Sequence, residues 1–140
     1  MSGKSGVLFA IRKKMRKVSE IGLAKLKKKA QDTFNHWVTF TRGKCEANGE
    51  GGRNCSGVLQ CAHIKPVGAY PSMRFDEDNV LSLCYSHHMF WAHKDPIGFS
   101  DFVEKHIGKE KFYRLKERSE SYHHKWNRED LERIISKYSL

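Results

Sequence analysis

An α+β fold is predicted, with a small ββα unit held between a basic N-terminal helix and a set of C-terminal helices. Three observations predict it. Lysines alternate with apolar residues at three- and four-residue steps through the first third of the chain. Two short apolar runs flank a proline-containing loop in the middle, and helical spacing returns over the last third. At 140 residues the chain is the size of one domain. We divide it into a basic helical arm at 1–44, a ββα core at 45–98, and C-terminal helices packing on that core at 99–140.

The first seven residues are mostly small and polar, and no packing is expected of them. From Ile11 the apolar positions Met15, Val18, Leu23, Leu26, Ala30, Phe34, Trp37 and Val38 describe an amphipathic helix, broken near Gly22. One face should pack on the domain, with Phe34 and Trp37 as core residues. The other presents Lys25, Lys27, Lys28 and Lys29. Residues 43–57 are rich in glycine and asparagine and read as a loop with tight turns. A strand follows at 58–64 (VLQCAHI). After the 66–71 loop, a turn over 74–79 leads into a second strand around Val80, Leu81 and Leu83. A helix is expected from about residue 84, ended by Pro96. Phe99, Phe102, Val103, His106 and Ile107 have helical spacing, with Gly108 as the stop. Residues 111–121 read as one or two helical turns. Asn127 and Asp130 form an N-cap arrangement before the stripe Leu131, Ile134, Ile135 and Tyr138.

The formal net charge is +10, and residues 1–44 hold all of the excess, with 12 Lys or Arg against 2 acids. A block of this kind is an electrostatic footprint for phosphate, because each neutralised phosphate releases counterions. Nucleic acid is therefore the expected partner. Solvated charge kept for solubility is the plainer alternative. A membrane is excluded as partner: there is no signal-like apolar segment at the N-terminus and no run of membrane-spanning length. The chain is expected to be soluble and cytoplasmic.

Four cysteines, Cys45, Cys55, Cys61 and Cys84, accompany His87, which lies three residues after Cys84. Without a secretory signal, this spacing favours zinc over disulfides. Nearby, three further residues arrive in order: His63 at the end of a strand, Asn79 after a loop, and His88 at the start of a helix. A lone histidine on a strand is usually structural; this series within a zinc-ligand frame is a stronger signal.

The segment LQCAHIKPVGAYPSMRFDEDNVLSLCYSHH resembles the HNH (ββα-metal) endonuclease signature. More narrowly, KKAQDTFNHWVTFTRGKCEANG, AHI, MRFDEDNV and FVEKHIGKEKFYRL resemble the NinG (Rap) recombination proteins of lambdoid phages. The resemblance implies a DNA endonuclease. His63 would be the general base, Asn79 would hold the geometry and touch the metal, and His88 would ligate a catalytic Mg²⁺ or Mn²⁺. It also implies branched or recombination-intermediate DNA as substrate, in the cytoplasm of the host cell. A two-fold dimer is the form expected to meet such a substrate.

Two departures from the pattern qualify this. Ala62 stands before His63 where many HNH enzymes have a ligand, so His93, Asp76 and Asp78 become candidates to complete the metal shell. In the zinc frame, C-x-x-C is replaced by Cys45 with Asn48 and Cys84 with His87. Cys45, Cys55, Cys84 and His87 would then form the site, with Cys61 as the alternative ligand. The lysines of the first helix, with Arg74, are the DNA-contact candidates. Two other readings stand beside this one: a zinc-stapled module that binds nucleic acid without cutting it, and an HNH nuclease of another role, in restriction, packaging or toxicity.

Overall fold

The computed structural model describes Gly6 and residues 21–140. Apart from Gly6, the expectations for the first 20 residues, including Met15 and Val18, lie outside the described residues.

The first described helix, α1 (Leu23–Arg42), begins directly after Gly22. Leu26, Ala30, Phe34 and Val38, four residues apart, are all buried, so one stripe of the helix faces inward. Gly43 ends it with φ of 67°, a left-handed conformation that glycine adopts without steric cost, and its N–H donates to the Thr39 carbonyl. Two antiparallel strands follow, β1 (Leu59–His63) and β2 (Val80–Cys84), paired from Leu59 with Cys84 to His63 with Val80. Two short 3₁₀ turns, Pro71–Met73 and Glu77–Asn79, close the loop between them.

β2 is buried along its whole length because both faces of the sheet are covered. On one side α1 packs with Phe75, Val80, Leu131 and Tyr138, and Phe34 meets Phe75 and Tyr138 edge-on at 5.7 Å and 4.9 Å. On the other side Ala62, Leu81 and Leu83 pack with Ala47, Trp91, Phe99 and Val103. The alternation of neighbours between the two cores follows from the period of two.

After β2 comes a single turn, α2 (Tyr85–His87), which widens into a π-helical segment, His88–Ala92. Three helices complete the chain: α3 (Pro96–Ile107), α4 (Lys109–Ser121) and α5 (Arg128–Tyr138). Two expectations are corrected here. Pro96 does not end the preceding helix but opens α3, because the Asp95 side chain accepts from the Gly98 N–H and proline suits the first helical position. The 111–121 stretch is not one or two turns but a helix of 13 residues. The capping box of Asn127 and Asp130 starts α5, which packs its Leu131 and Tyr138 against α1. Among the described residues no helix is long and apolar enough to cross a membrane.

Candidate metal centre and histidine cleft

Cys45, Cys55, Cys84 and His87 converge, with their four ligand atoms all within 4.8 Å of one another. The Nδ1 of His87 lies 3.7 Å from Sγ of Cys45 and of Cys55 and 3.2 Å from Sγ of Cys84. A tetrahedron with zinc–sulfur bonds of about 2.3 Å has sulfur–sulfur edges of roughly 3.8 Å, so the spacing suits that ion. The other ring nitrogen of His87 donates to the Glu50 carbonyl at 3.1 Å, which leaves the Nδ1 lone pair for a metal. This Cys₃His cluster could hold a structural metal such as zinc.

Burial pushes Cys84 up, but the backbone N–H groups of His87 and Ser56, with the close approach of the His87 ring, outweigh it and bring the thiol down to about 6. Desolvation, then Cys45 and Cys84, push Cys55 up to about 11. A bound cation would favour the thiolate form of all three cysteines. The glycines of the loop are sterically required: Gly51 and Gly57 have φ of 64° and 82°, and a Cβ would collide with Trp91 and Tyr85 respectively.

A separate cleft of about 640 Å³ opens on the far side of β1 and contains His63, His88 and His93. His63 Nε2 donates to the Arg74 carbonyl at 3.1 Å, so its Nδ1 carries the lone pair. Burial lowers the pKa of His63, an effect its bond to Arg74 only partly offsets, so the ring is held neutral. His88 Nδ1 donates to Gln60 Oε1 at 2.8 Å, which leaves Nε2 as the free lone pair. Burial first, then the charges of His93 and His63, lower His88 to about 4.

The π-helical segment is what pairs His88 with His93. In an α-helix, residues five apart project about 140° from each other. Here the His93 N–H bonds to the His88 carbonyl at 3.2 Å, an i to i+5 bond, and the two rings lie 4.6 Å apart. Such widened turns recur at functional sites.

Asn79 is placed differently from a ligand. It is fully buried, its Oδ1 accepts from the Lys65 N–H at 2.7 Å, and its Nδ2 donates to the Lys65 and Met73 carbonyls at 3.0 Å each. The side chain ties the start of β2 to both ends of the loop and points into backbone, so the expected metal contact is not made. Asn79→Ala is expected to destabilise the protein by about 3 kcal/mol, because the buried Met73 carbonyl and two half-buried backbone groups of Lys65 lose their partner. Urea unfolding measures this, and a loss below about 1 kcal/mol would contradict the clamp.

The family model described as Bacteriophage Lambda NinG protein matches residues 10–140. The chain belongs to the NinG family. No curated protein and no solved structure matches it significantly.

The other candidates in this NinG-family chain divide into those brought to a site and those held elsewhere. Asp76 and Asp78 are not in the cleft: Arg118 of α4 pairs with Asp76 at 2.9 Å and with Asp78 at 3.6 Å, and Asp76 also caps the 3₁₀ turn. They do not complete a shell around His88. Cys61 is not in the Cys₃His cluster but packs half-buried beneath α1, where burial pushes its thiol up to about 12. Arg74 is half-buried and donates its Nε to Gln31 Oε1 at 3.1 Å. Lys25, Lys28 and Lys29 are exposed and Lys27 half-buried; Lys28 pairs with Asp32 at 2.7 Å. Gln60, Lys65 and Lys116 carried no signal in the sequence analysis. Gln60 and the Arg74 carbonyl orient the histidines, and Lys65 and Lys116 line the cleft, with Lys116 coming from a helix remote in sequence.

Proposed function

We propose that the chain is a metal-dependent DNA endonuclease with an HNH (ββα-metal) centre, in which β1, β2 and the turn after them carry His63, His88 and His93. The observation that carries this reading is the pair of fixed tautomers. His63 and His88 line the same cleft, and their hydrogen bonds to Arg74 and Gln60 leave Nδ1 of His63 and Nε2 of His88 unprotonated. His63 acts as general base: Nδ1 takes a proton from water, the water oxygen forms a bond to phosphorus, and the bond from phosphorus to the 3′ oxygen breaks. His63 stays neutral until that step because burial disfavours its charged form. The Arg74 carbonyl holds the ring through Nε2, and Gln31 holds Arg74 in turn.

The donor chemistry fits a divalent cation held by His88 and His93. Among the described residues no carboxylate lines the cleft, so imidazole nitrogen dominates and Mn²⁺ suits it better than Mg²⁺. When bound, such a cation supplies positive charge to the phosphate and the leaving oxygen. Lys65 and Lys116 add charge beside it.

Membership of the NinG family supports branched or recombination-intermediate DNA as the substrate, met by a dimer. The test is incubation with Mg²⁺ or Mn²⁺ and a panel of linear, nicked, flapped and four-way DNA. Cleavage supports the reading; binding of DNA without cleavage under every metal would overturn it in favour of a zinc-stapled binding module.

The basic face of α1 gives a second prediction. Neutralising Lys25, Lys28 and Lys29 to glutamine should weaken DNA binding and reduce the slope of log affinity against log salt by up to about 3, with turnover at saturating DNA changed far less. Unchanged slopes across a salt series would place the DNA elsewhere.

A further inference from the structure

His88 stands where two clefts meet. One, of about 430 Å³, runs between α1 and β1 and is lined mainly by Asn35, His36, Thr39, Gln60 and Met89. It offers polar side chains suited to a sugar–phosphate backbone. The other, the histidine cleft, continues past His63 toward α3 and α4, where its walls change character: Phe99, Phe112 and Tyr113 supply aromatic surface and Lys65 and Lys116 supply charge. Its volume of about 640 Å³ lies in the range that holds small organic ligands.

We propose that this aromatic cleft takes one unstacked nucleotide of the DNA, adjacent to the phosphodiester that His63 faces. The inference rests on the reading of the cleft as a phosphodiester site. A phosphate at His63 and His88 has a nucleotide on each side. One can follow the polar groove, and the other must enter the aromatic cleft. A base stacked and paired in a duplex cannot leave its neighbours to reach such a recess without being extruded. An aromatic wall compensates for lost stacking without reading the identity of the base. The charge agrees: the cleft has two lysines and no acidic residue among its lining. Tyr113 is the side chain placed to do this. It is half-exposed while Phe99 is buried in the second core, so Tyr113 has ring surface free for a ligand.

The preferred substrate is then DNA with an unpaired or easily unstacked nucleotide beside the cut. Tyr113, being exposed, can be replaced without disturbing packing. Two duplexes are titrated without added divalent ion, one with a single unpaired 2-aminopurine and one fully paired. Wild type should bind the unpaired duplex more tightly and alter its 2-aminopurine fluorescence. Tyr113→Ala should weaken that binding by roughly tenfold, with the paired duplex within about twofold, and Tyr113→Phe should retain it. Equal binding of both duplexes by wild type, or a Tyr113→Ala effect that is absent or the same on both, would overturn the proposal. Binding is read without cleavage, so an inactive protein would sink the nuclease reading while this measurement still decided the cleft.

Discussion

Replacing His63 with alanine is expected to reduce DNA cleavage by at least about a hundredfold while leaving the fold and the affinity for DNA almost unchanged. The structural cost is small for identifiable reasons. His63 is only half-buried at the end of β1, and its one hydrogen bond goes to the Arg74 carbonyl, which also accepts from Gln31 at 3.4 Å. That acceptor keeps a partner in the variant. The catalytic cost is large because no other side chain in the cleft has the same disposition. His88 is tied to Gln60 and pairs with His93, and neither holds an imidazole in the place of His63. Single-turnover cleavage, DNA affinity and the urea midpoint, measured on one preparation, separate these effects. Full activity in a folded His63→Ala protein would remove His63 from the role, whereas lost affinity with an unchanged single-turnover rate would make it a binding residue.

Features governed by local rules were legible in the sequence. The buried stripe of α1 follows from its four-residue apolar steps, and the start of α5 from a capping box whose two ends are three positions apart. β1 and the pairing of Cys84 with His87 are likewise short-range. What was not legible depends on partners far along the chain. Asp76 and Asp78 lie close to Asn79 in sequence and so resembled members of the same site, but the residue that claims them, Arg118, is about forty positions away on α4. The period of two left Cys61 as either a core residue or a ligand, and only the packing of α1 over the sheet shows it against the core. Pro96 is compatible with the end of one helix and with the start of the next, and the Asp95 cap decides between them. The π-helical turn that brings His93 beside His88 has no sequence signature of its own. It coincides with Trp91, buried against Phe99 and Phe102 at 5.8 Å and 5.6 Å, so tertiary packing anchors the widened turn.

The largest effect on stability is expected at the Cys₃His cluster. The purified protein should hold about one tightly bound zinc, and Cys84→Ser should lose it and unfold at much lower temperature or denaturant concentration. The 43–57 loop buries little apolar surface of its own apart from Ala47, and it closes over Trp91; without the metal it is held by hydrogen bonds and ion pairs, among them those of Glu46 with Ser82 and Arg42, of Arg53 with Ser86, and of the Glu50 carbonyl with His87. Structural zinc contributes on the order of 10 kcal/mol to the folding of small domains with little core. Here two hydrophobic cores remain, so a loss of several kcal/mol is the expected scale. Cys84 is buried at the end of β2, however, and serine there also disturbs packing. Cys55 gives the cleaner test because it is exposed: Cys55→Ser removes a ligand with almost no change in the core. Cys61→Ser is the opposite control, altering a residue that packs under α1 and stands apart from the Cys₃His cluster. Elemental analysis should therefore find zinc lost from Cys55→Ser and Cys84→Ser but retained at about one equivalent in Cys61→Ser, with stability following the zinc content in the two ligand variants. Zinc retained by Cys55→Ser and lost from Cys61→Ser would reverse the assignment of the third thiolate, and a zinc-free wild type of full stability would mean that the four side chains hold the loop without any metal.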